Sequence, residues 1–346
     1  LKAIAYTNVF QMLLLIAVSL LLVVLGIVQA GGVQAIYEAT PGAYWNLLKP
    51  MGDTTYPWLA IVLGYPIMGV WFWCTDQSMV QSVLGAKSLQ EGQLGANFIG
   101  WLKILDVPLF ILPGIICFVL YPELTNPDEA YLTMVTRLFP AGLRGLIIVV
   151  LIAALISTIG SALNSLSTVF TMDIYVRKYN PAASASRIVS TGRIVVIAGA
   201  LISVAITLAI DSIRGLNLFD IFQSVLGFIA PPMSVVFLTG VLWKRTTTRA
   251  ANFALLAGTL LSIGTGVLYL WVLPAPVVAW PHFLLLSFYL FILILLITVA
   301  ITLLDKKEQP ASSLPLFELR PTPLVKWLWV ALAIVMITLY IVFNGH

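Results

Sequence analysis

Apolar residues in this chain do not alternate with polar ones; they run in long blocks. Nine windows, near 9–30, 57–75, 97–121, 145–171, 194–210, 218–243, 251–272, 283–304 and 326–344, are predominantly apolar. Each holds roughly 17–25 residues, the length a helix needs to cross a bilayer. Backbone polar groups in lipid must bond within their own segment. The pattern therefore predicts an all-α fold, a polytopic membrane helical bundle of about nine transmembrane helices. The stretch between Arg249 and Asp305 carries no charge, and Pro274, Pro276 and Pro281 divide it into two spans.

One window breaks its own apolar pattern. No residue between Arg144 and Asp173 is charged, yet Ala154, Ser157, Thr158, Ser161, Asn164, Ser165 and Thr168 recur at three- and four-residue steps. That spacing puts them on one stripe of a helix. A polar stripe in hydrocarbon must face protein, water or an ion. Hydroxyl and carbonyl oxygens suit a hard cation such as sodium; close packing of helices through small residues is the other reading.

Composition agrees with a membrane protein: 60% of residues are hydrophobic and 9% charged, against about 25% charged in soluble domains. The net charge of +4 comes from scattered loop residues and forms no nucleic-acid patch. Cys74 and Cys117 lie in or beside apolar spans and show no metal-ligand spacing. Two histidines leave little material for acid–base chemistry. No catalytic constellation is visible, which argues against an enzyme.

With the N-terminus in the cytoplasm and nine alternating spans, thirteen basic residues fall on the inner side and four on the outer. The inner set includes Lys87, Arg177, Lys244, Lys306, Lys307 and Arg320; the outer set is Lys49, Arg137, Arg144 and Arg214. This asymmetry fixes the expected orientation, with the C-terminus outside. The longest outer loop is 31–56. A further outer loop, 122–141, holds a short helix candidate from Pro127 to Leu138, acidic early and basic late. The stretch 305–325 is proline-rich and reads as a cytoplasmic linker. The chain opens LKAIAYTNVFQ directly into a span, without Met or a signal-peptide pattern. It reads as a fragment of a longer protein, a natural start after processing being the alternative.

Polar residues inside other spans are the remaining candidates. Lys103 sits about 12 Å into its span at 1.5 Å per residue, and Asp106 lies on the same face, placed to pair with it. Intramembrane lysines usually face a cavity or partner; snorkelling to the interface is the alternative. In the second span Gly64, Pro66 and Gly69 weaken the helix midway, and breaks of this kind expose helix ends where substrates bind. That helix is expected to continue past Asp76 to about Leu84. Trp71, Phe72 and Trp73 are pocket or interface-belt residues. In the sixth span Gln223 is a buried amide and Pro231-Pro232 is expected to interrupt the helix. A helix–helix hydrogen bond is the other reading of Gln223.

The segments WFWCTDQSMVQSVLGAKS, WLKILDVPLFILPG, ALISTIGSALNSLSTVFTMDIY, LFDIFQSVLGFIAPP and VLWKRTTTRAANFALLAG stand in this order along the chain. Together they resemble the sodium/solute symporter family, closest to its sodium/glucose branch. The resemblance implies a leucine-transporter-like fold of two inverted five-helix repeats. Residues 1–30 would be the last helix of the first repeat, 31–56 an extracellular loop, 57–243 the second repeat, and 244–346 three peripheral helices. It implies a sodium site built from the Ala154 carbonyl and the Ser157 and Thr158 hydroxyls, completed by a broken helix of the first repeat. It implies solute contacts from Phe72, Trp73, Lys103 and Gln223. Phe72 stands where many sugar-carrying members have Tyr, and Asp106 is not part of that branch's pattern. Gly160-Ser161 replaces a Thr-Ser pair used for a second sodium, which argues against a second ion.

The expectation is sodium-coupled secondary active symport of a sugar or polyol across the cytoplasmic (plasma) membrane. Sodium is the coupling ion, the solute and the bilayer are the partners, and neither a cofactor nor nucleic acid is expected. A symporter for an amino acid, carboxylate or sialic acid is the alternative, and a membrane sensor on the same scaffold a second.

Overall fold

The computed structural model describes residues 2–53, 55–210, 217–274, 277–305 and 321–344. Among these the chain is helical, with one isolated bridge between Lys49 and Pro57 and no strand. In order come α1 (Lys2–Gln29), α2 (Val33–Ala39), α3 (Trp58–Cys74), α4 (Gln77–Leu84), α5 (Leu89–Asp106), α6 (Leu112–Leu120) and α7 (Ala130–Leu138). Then follow α8 (Ala141–Val169), α9 (Ala185–Ile210), α10 (Leu218–Leu242), α11 (Thr248–Phe253), α12 (Thr259–Val267), α13 (Phe283–Leu304) and α14 (Pro323–Val342). Wider π turns splice several together, so that Leu89–Leu120, Ala141–Tyr179 and Thr248–Val272 each run as one long helix.

Among the described residues 8 helices are long and apolar enough to cross a membrane, or 9 if the bent pair α3–α4 is one span. That agrees with the nine apolar windows, and the span expected at 283–304 coincides with α13. The loop expected at 31–56 contains a short helix, α2. The helix expected from Pro127 forms as a short 3-10 turn leading into α7. Most of the linker expected at 305–325 lies outside the described residues, as do Arg214, Pro276, Lys306, Lys307 and Arg320.

Two expected breaks are not where composition put them. α3 runs unbroken through Gly64, Pro66 and Gly69. The chain bends instead at Thr75–Asp76, by 53° between α3 and α4. There the Thr75 hydroxyl donates to the Trp71 carbonyl at 2.7 Å, and Asp76 takes an extended backbone. Its carboxylate accepts from Ser78 N at 2.9 Å and Met79 N at 3.3 Å, and from the Ser78 hydroxyl. Side-chain oxygens of this kind compete with the backbone ladder and start a new helix. Likewise α10 continues through Pro231 and Pro232. A proline in a membrane helix frees a carbonyl one turn back, and close neighbours make this tolerable.

The described chain forms two compact units, each considered by itself: one of Leu1–Asn46 and Asn97–Leu208, the other of Leu47–Ala96 and Ala209–Asn344. In the first, Val18, Leu22 and Val23 of α1 pack with Ile116 and Cys117 of α6, Met134 and Val135 of α7, and Ile147 of α8. Ser19 and Tyr131 share a 2.8 Å hydrogen bond between α1 and α7. α8 meets α9 through small residues: a methyl group added at Gly199 would lie 2.9 Å from Leu166, and one at Gly192 2.9 Å from the Ser167 hydroxyl. Ser167 also donates to the Gly192 carbonyl at 3.0 Å.

The second unit centres on α3, α10 and α13. Gly64 presses on the backbone of α13; a Cβ there would stand 2.5 Å from the Leu284 carbonyl oxygen. Ser234 of α10 donates to the Ile67 carbonyl of α3 at 2.7 Å. Lipid supplies no hydrophobic drive between helices, so close contact through small residues and such hydrogen bonds hold them together.

Candidate cation and solute-binding residues

The polar stripe of α8 divides into parts with different work. Its C-terminal end, with Asn164 and Thr168, lines a cleft of about 570 Å³ together with Thr171 just beyond α8 and Gly192 and Arg193 of α9. Contact with α9 is made by Leu163, Leu166 and Ser167, so Ala154, Ser157 and Thr158 are not consumed by that packing. These three stand on adjacent turns further out. The Thr158 hydroxyl donates to the Ala154 carbonyl at 2.9 Å. The Ser157 hydroxyl donates to the side-chain carbonyl of Asn8 on α1 at 2.8 Å.

A hydroxyl that ligates a cation must send its proton elsewhere, because only its lone pairs can face the charge. Both hydroxyls satisfy this: Ser157 spends its proton on Asn8 and Thr158 on Ala154. The Ala154 carbonyl accepts the Thr158 hydroxyl in addition to its place in the helix ladder, so both of its lone pairs are engaged. Asn8 adds a fourth neutral oxygen. Neutral oxygens suit hard cations, which take about six or more in a full shell. Asn8 was not among the residues singled out from the sequence. Its signal was an amide two turns into an apolar helix, and nothing along the chain linked it to Ser157, 149 positions away.

The expected solute contacts fall in both units. Lys103, in the first, pairs with Asp106 at 2.7 Å across one turn of α5, with both side chains well exposed. The expected Lys103–Asp106 pair is thus formed, and the ammonium is neutralised by its neighbour. A π turn, Val107–Ile111, follows directly and contains Pro108.

Phe72, Trp73 and Gln223 belong to the second unit. Gln223 Nε2 donates to the Tyr65 hydroxyl at 2.9 Å, joining α10 to α3. Tyr65, Gly69, Phe72 and Trp73 recur at helical spacing along α3. Gly69 has no neighbour closer than Trp73, which lies 4.0 Å from where a Cβ would be, so the stripe is open at that point. Phe72 and Trp73 meet edge to face with centroids 4.9 Å apart. One end of this stripe is therefore polar and the other aromatic. Tyr65, like Asn8, escaped the sequence reading, being one tyrosine among twelve.

At the N-terminal ends of the same two helices Tyr56 donates to Asp220 Oδ1 at 2.5 Å, and the capping Asn217 donates through Nδ2 to Asp220 Oδ2 at 2.8 Å. Burial and the Asp220 carboxylate push the Tyr56 phenol far above its ordinary range, so it remains a hydrogen-bond donor. His282 caps α13, its Nδ1 accepting from Leu284 N at 3.3 Å. Burial lowers its pKa, partly opposed by a hydrogen bond to the Thr55 backbone and by the charges of Asp220 and Asp53. Among the described residues no group of three or more His, Cys, Asp or Glu side chains is placed to hold a metal ion.

Comparison with known proteins gives these residues a context. The model of the sodium:solute symporter family matches residues 1–258. A sodium/mannose cotransporter of Bos taurus is 32% identical over 89% of this chain and 59% of its own length. A sodium/myo-inositol cotransporter 2 of Homo sapiens is 31% identical over 76% of this chain and 44% of its own. The sodium/glucose cotransporter 2 of Rattus norvegicus is 35% identical over 66% and 36%. The chain thus spans between about a third and three fifths of these relatives. Among solved structures, a Na+-coupled sialic acid symporter in a substrate-bound outward-open state superposes with a TM-score of 0.68. It is 23% identical and is matched over 90% of this chain and 64% of its own. At that identity the likeness speaks for the fold alone.

Proposed function

The chain belongs to the sodium:solute symporter family, and from that premise we propose that it serves sodium-coupled symport of a neutral sugar or polyol across the plasma membrane. The observation that carries the cation half is the arrangement on α8, where two hydroxyls present lone pairs while their protons are held by Asn8 and Ala154. Ala154, Ser157 and Thr158 ligate sodium, and Asn8 orients Ser157. The remaining ligands come from elsewhere in the protein, in keeping with a second five-helix repeat at 57–243 that works with a first.

The solute half rests on the chemistry of Gln223, Lys103, Phe72 and Trp73. A sugar needs neutral hydrogen-bond partners for its hydroxyls and a flat apolar surface for its ring. Gln223 both donates and accepts, and Phe72 and Trp73 supply ring faces. A carboxylate wants a cation free of partners or a helix N-terminus, and Lys103 is already paired with Asp106. The names of the mannose, myo-inositol and glucose relatives favour the same substrate class. Sodium shifts the conformational equilibrium by its differential affinity for the two states. Bound at α8, it favours the state open to the outside; solute binding permits closure, and loss of sodium inside releases the solute.

The test is uptake by the full-length protein in proteoliposomes under an inward sodium gradient. One labelled hexose or polyol is competed by a panel of hexoses, polyols, amino acids and carboxylates. Sodium-dependent uptake blocked by hexoses or polyols is the expected result. Competition by amino acids or carboxylates alone would overturn the sugar assignment and leave the symporter assignment in place.

A further inference from the structure

Gln223 does not stand alone. A side-chain amide has one end that only donates and one that only accepts. Tyr65 takes the Nε2 end at 2.9 Å. The end left open is Oε1, and no described residue hydrogen-bonds it. Tyr65 accepts on its oxygen, and no described residue accepts its own hydroxyl proton. Both residues are half-buried. Asp220 lies one turn back on the same face of α10, with Oδ1 accepting from Tyr56 and Oδ2 from Asn217. The backbone under Tyr65 is fixed as well, since Gly64 is pressed against the Leu284 backbone.

We propose that Tyr65 is a specificity-determining residue, one that sets which end of the Gln223 amide meets the solute. The inference rests on the reading of the solute as polyhydroxylated. A solute group that meets Oε1 must bring a proton, so a hydroxyl fits, whereas an ether oxygen, a fluorine or a carboxylate leaves two acceptors facing each other. The Tyr65 proton is then available to the oxygen of a neighbouring hydroxyl. The pair matches two adjacent hydroxyls of a polyol, one donating and one accepting. It rejects carboxylates by the same geometry, because an unmatched buried polar pair discriminates more sharply than lost apolar contact.

The experiment uses sodium-driven uptake of the preferred hexose or polyol by the full-length protein. Competitors are its deoxy and deoxyfluoro analogues at each position. Fluorine accepts weakly and cannot donate, so it separates the two ends of the amide. In the wild type, one position should lose about tenfold or more in competition for both analogues alike. In Tyr65→Phe the amide is released. The KM of the parent solute should then rise several-fold with maximal rate and half-saturating sodium unchanged, and the fluoro analogue should gain on the deoxy analogue. Gln223→Glu has acceptor oxygens only and should keep the fluoro analogue poor. An unchanged fluoro-to-deoxy ratio in Tyr65→Phe, or wild-type tolerance of fluorine at every position, overturns the role of Tyr65 while sugar uptake stands. If no hexose or polyol competes at all, the substrate reading itself falls, and the inference with it.

Discussion

The Ser157 hydroxyl of α8 donates to the Asn8 side-chain carbonyl of α1 at 2.8 Å, so the proton that would repel a cation is drawn off by a residue 149 positions away. The bond couples the polar stripe of α8 to α1. Ser157→Ala and Thr158→Ala are each expected to raise the sodium concentration for half-maximal uptake, since each removes one oxygen at a cost of about 1–3 kcal/mol. Thr158→Ser keeps the oxygen and should be mild. Asn8→Ala leaves Ser157 free to rotate and should give a smaller shift of the same sign. Sodium titration of uptake decides this; unchanged sodium dependence in both alanine variants would return the stripe to helix packing.

Lys103 and Asp106 form an ion pair at 2.7 Å. Lys103→Ala and Gln223→Ala are expected to weaken uptake of a hexose or polyol, by about 1–3 kcal/mol each, and to leave sodium binding largely intact. Asp106→Asn frees the ammonium, and carboxylates should then begin to compete with the sugar. Competition assays on the three variants report all of this. Carboxylates that remain inert against Asp106→Asn would show that the pair does not govern charge selection.

Gly64 and Gly69 sit five residues apart on α3 and face different surroundings. A methyl group at Gly64 would lie 2.5 Å from the Leu284 carbonyl oxygen and 2.6 Å from Leu284 Cβ, and neither can swing away. Gly64→Ala should lower stability by about 1–3 kcal/mol, as overpacking does. Gly69→Ala meets nothing closer than Trp73 at 4.0 Å and should leave stability unchanged. If the open space beside Trp73 holds solute, Gly69→Ala instead raises KM. Thermal unfolding in detergent together with uptake separates the two effects.

His282 is held neutral by burial, which lowers its pKa in the folded protein. A base with a depressed pKa contributes stability that is fully present above its unfolded pKa of about 6.5. It is lost as pH falls from there through the folded value, because the unfolded chain binds the proton first. Protonation also competes with the cap that Nδ1 accepts from Leu284 N. Thermal stability should therefore fall between pH 7.5 and pH 5, and His282→Asn, which retains a capping oxygen, should reduce that slope. An equal slope in the variant would place the pH dependence elsewhere.

Orientation rests on thirteen basic residues against four. In a cysteine-free background, a cysteine at Thr247 should label only from the cytoplasm and one at Asn46 only from outside. Labelling of both from one side would refute the arrangement.

By itself the sequence determined the class of the molecule, because a bilayer imposes its rule on each segment separately. Nine apolar blocks must be helices whatever surrounds them, and α13 could be drawn to the residue from composition alone. Motif order was enough to place the chain in one family. Helix breaks were a different matter. Pro66, Pro231 and Pro232 look like interruptions along the chain, yet Ile67 finds Ser234 and the helices pass through. The bend comes at Thr75–Asp76 instead, where side-chain oxygens outcompete the backbone ladder. Only the tertiary structure decided the partners: Asn8 for Ser157, Tyr65 for Gln223, Leu284 for Gly64. A hydrogen bond between residues more than a hundred positions apart leaves no periodicity or composition in a single chain, because it depends on which faces two helices turn toward each other.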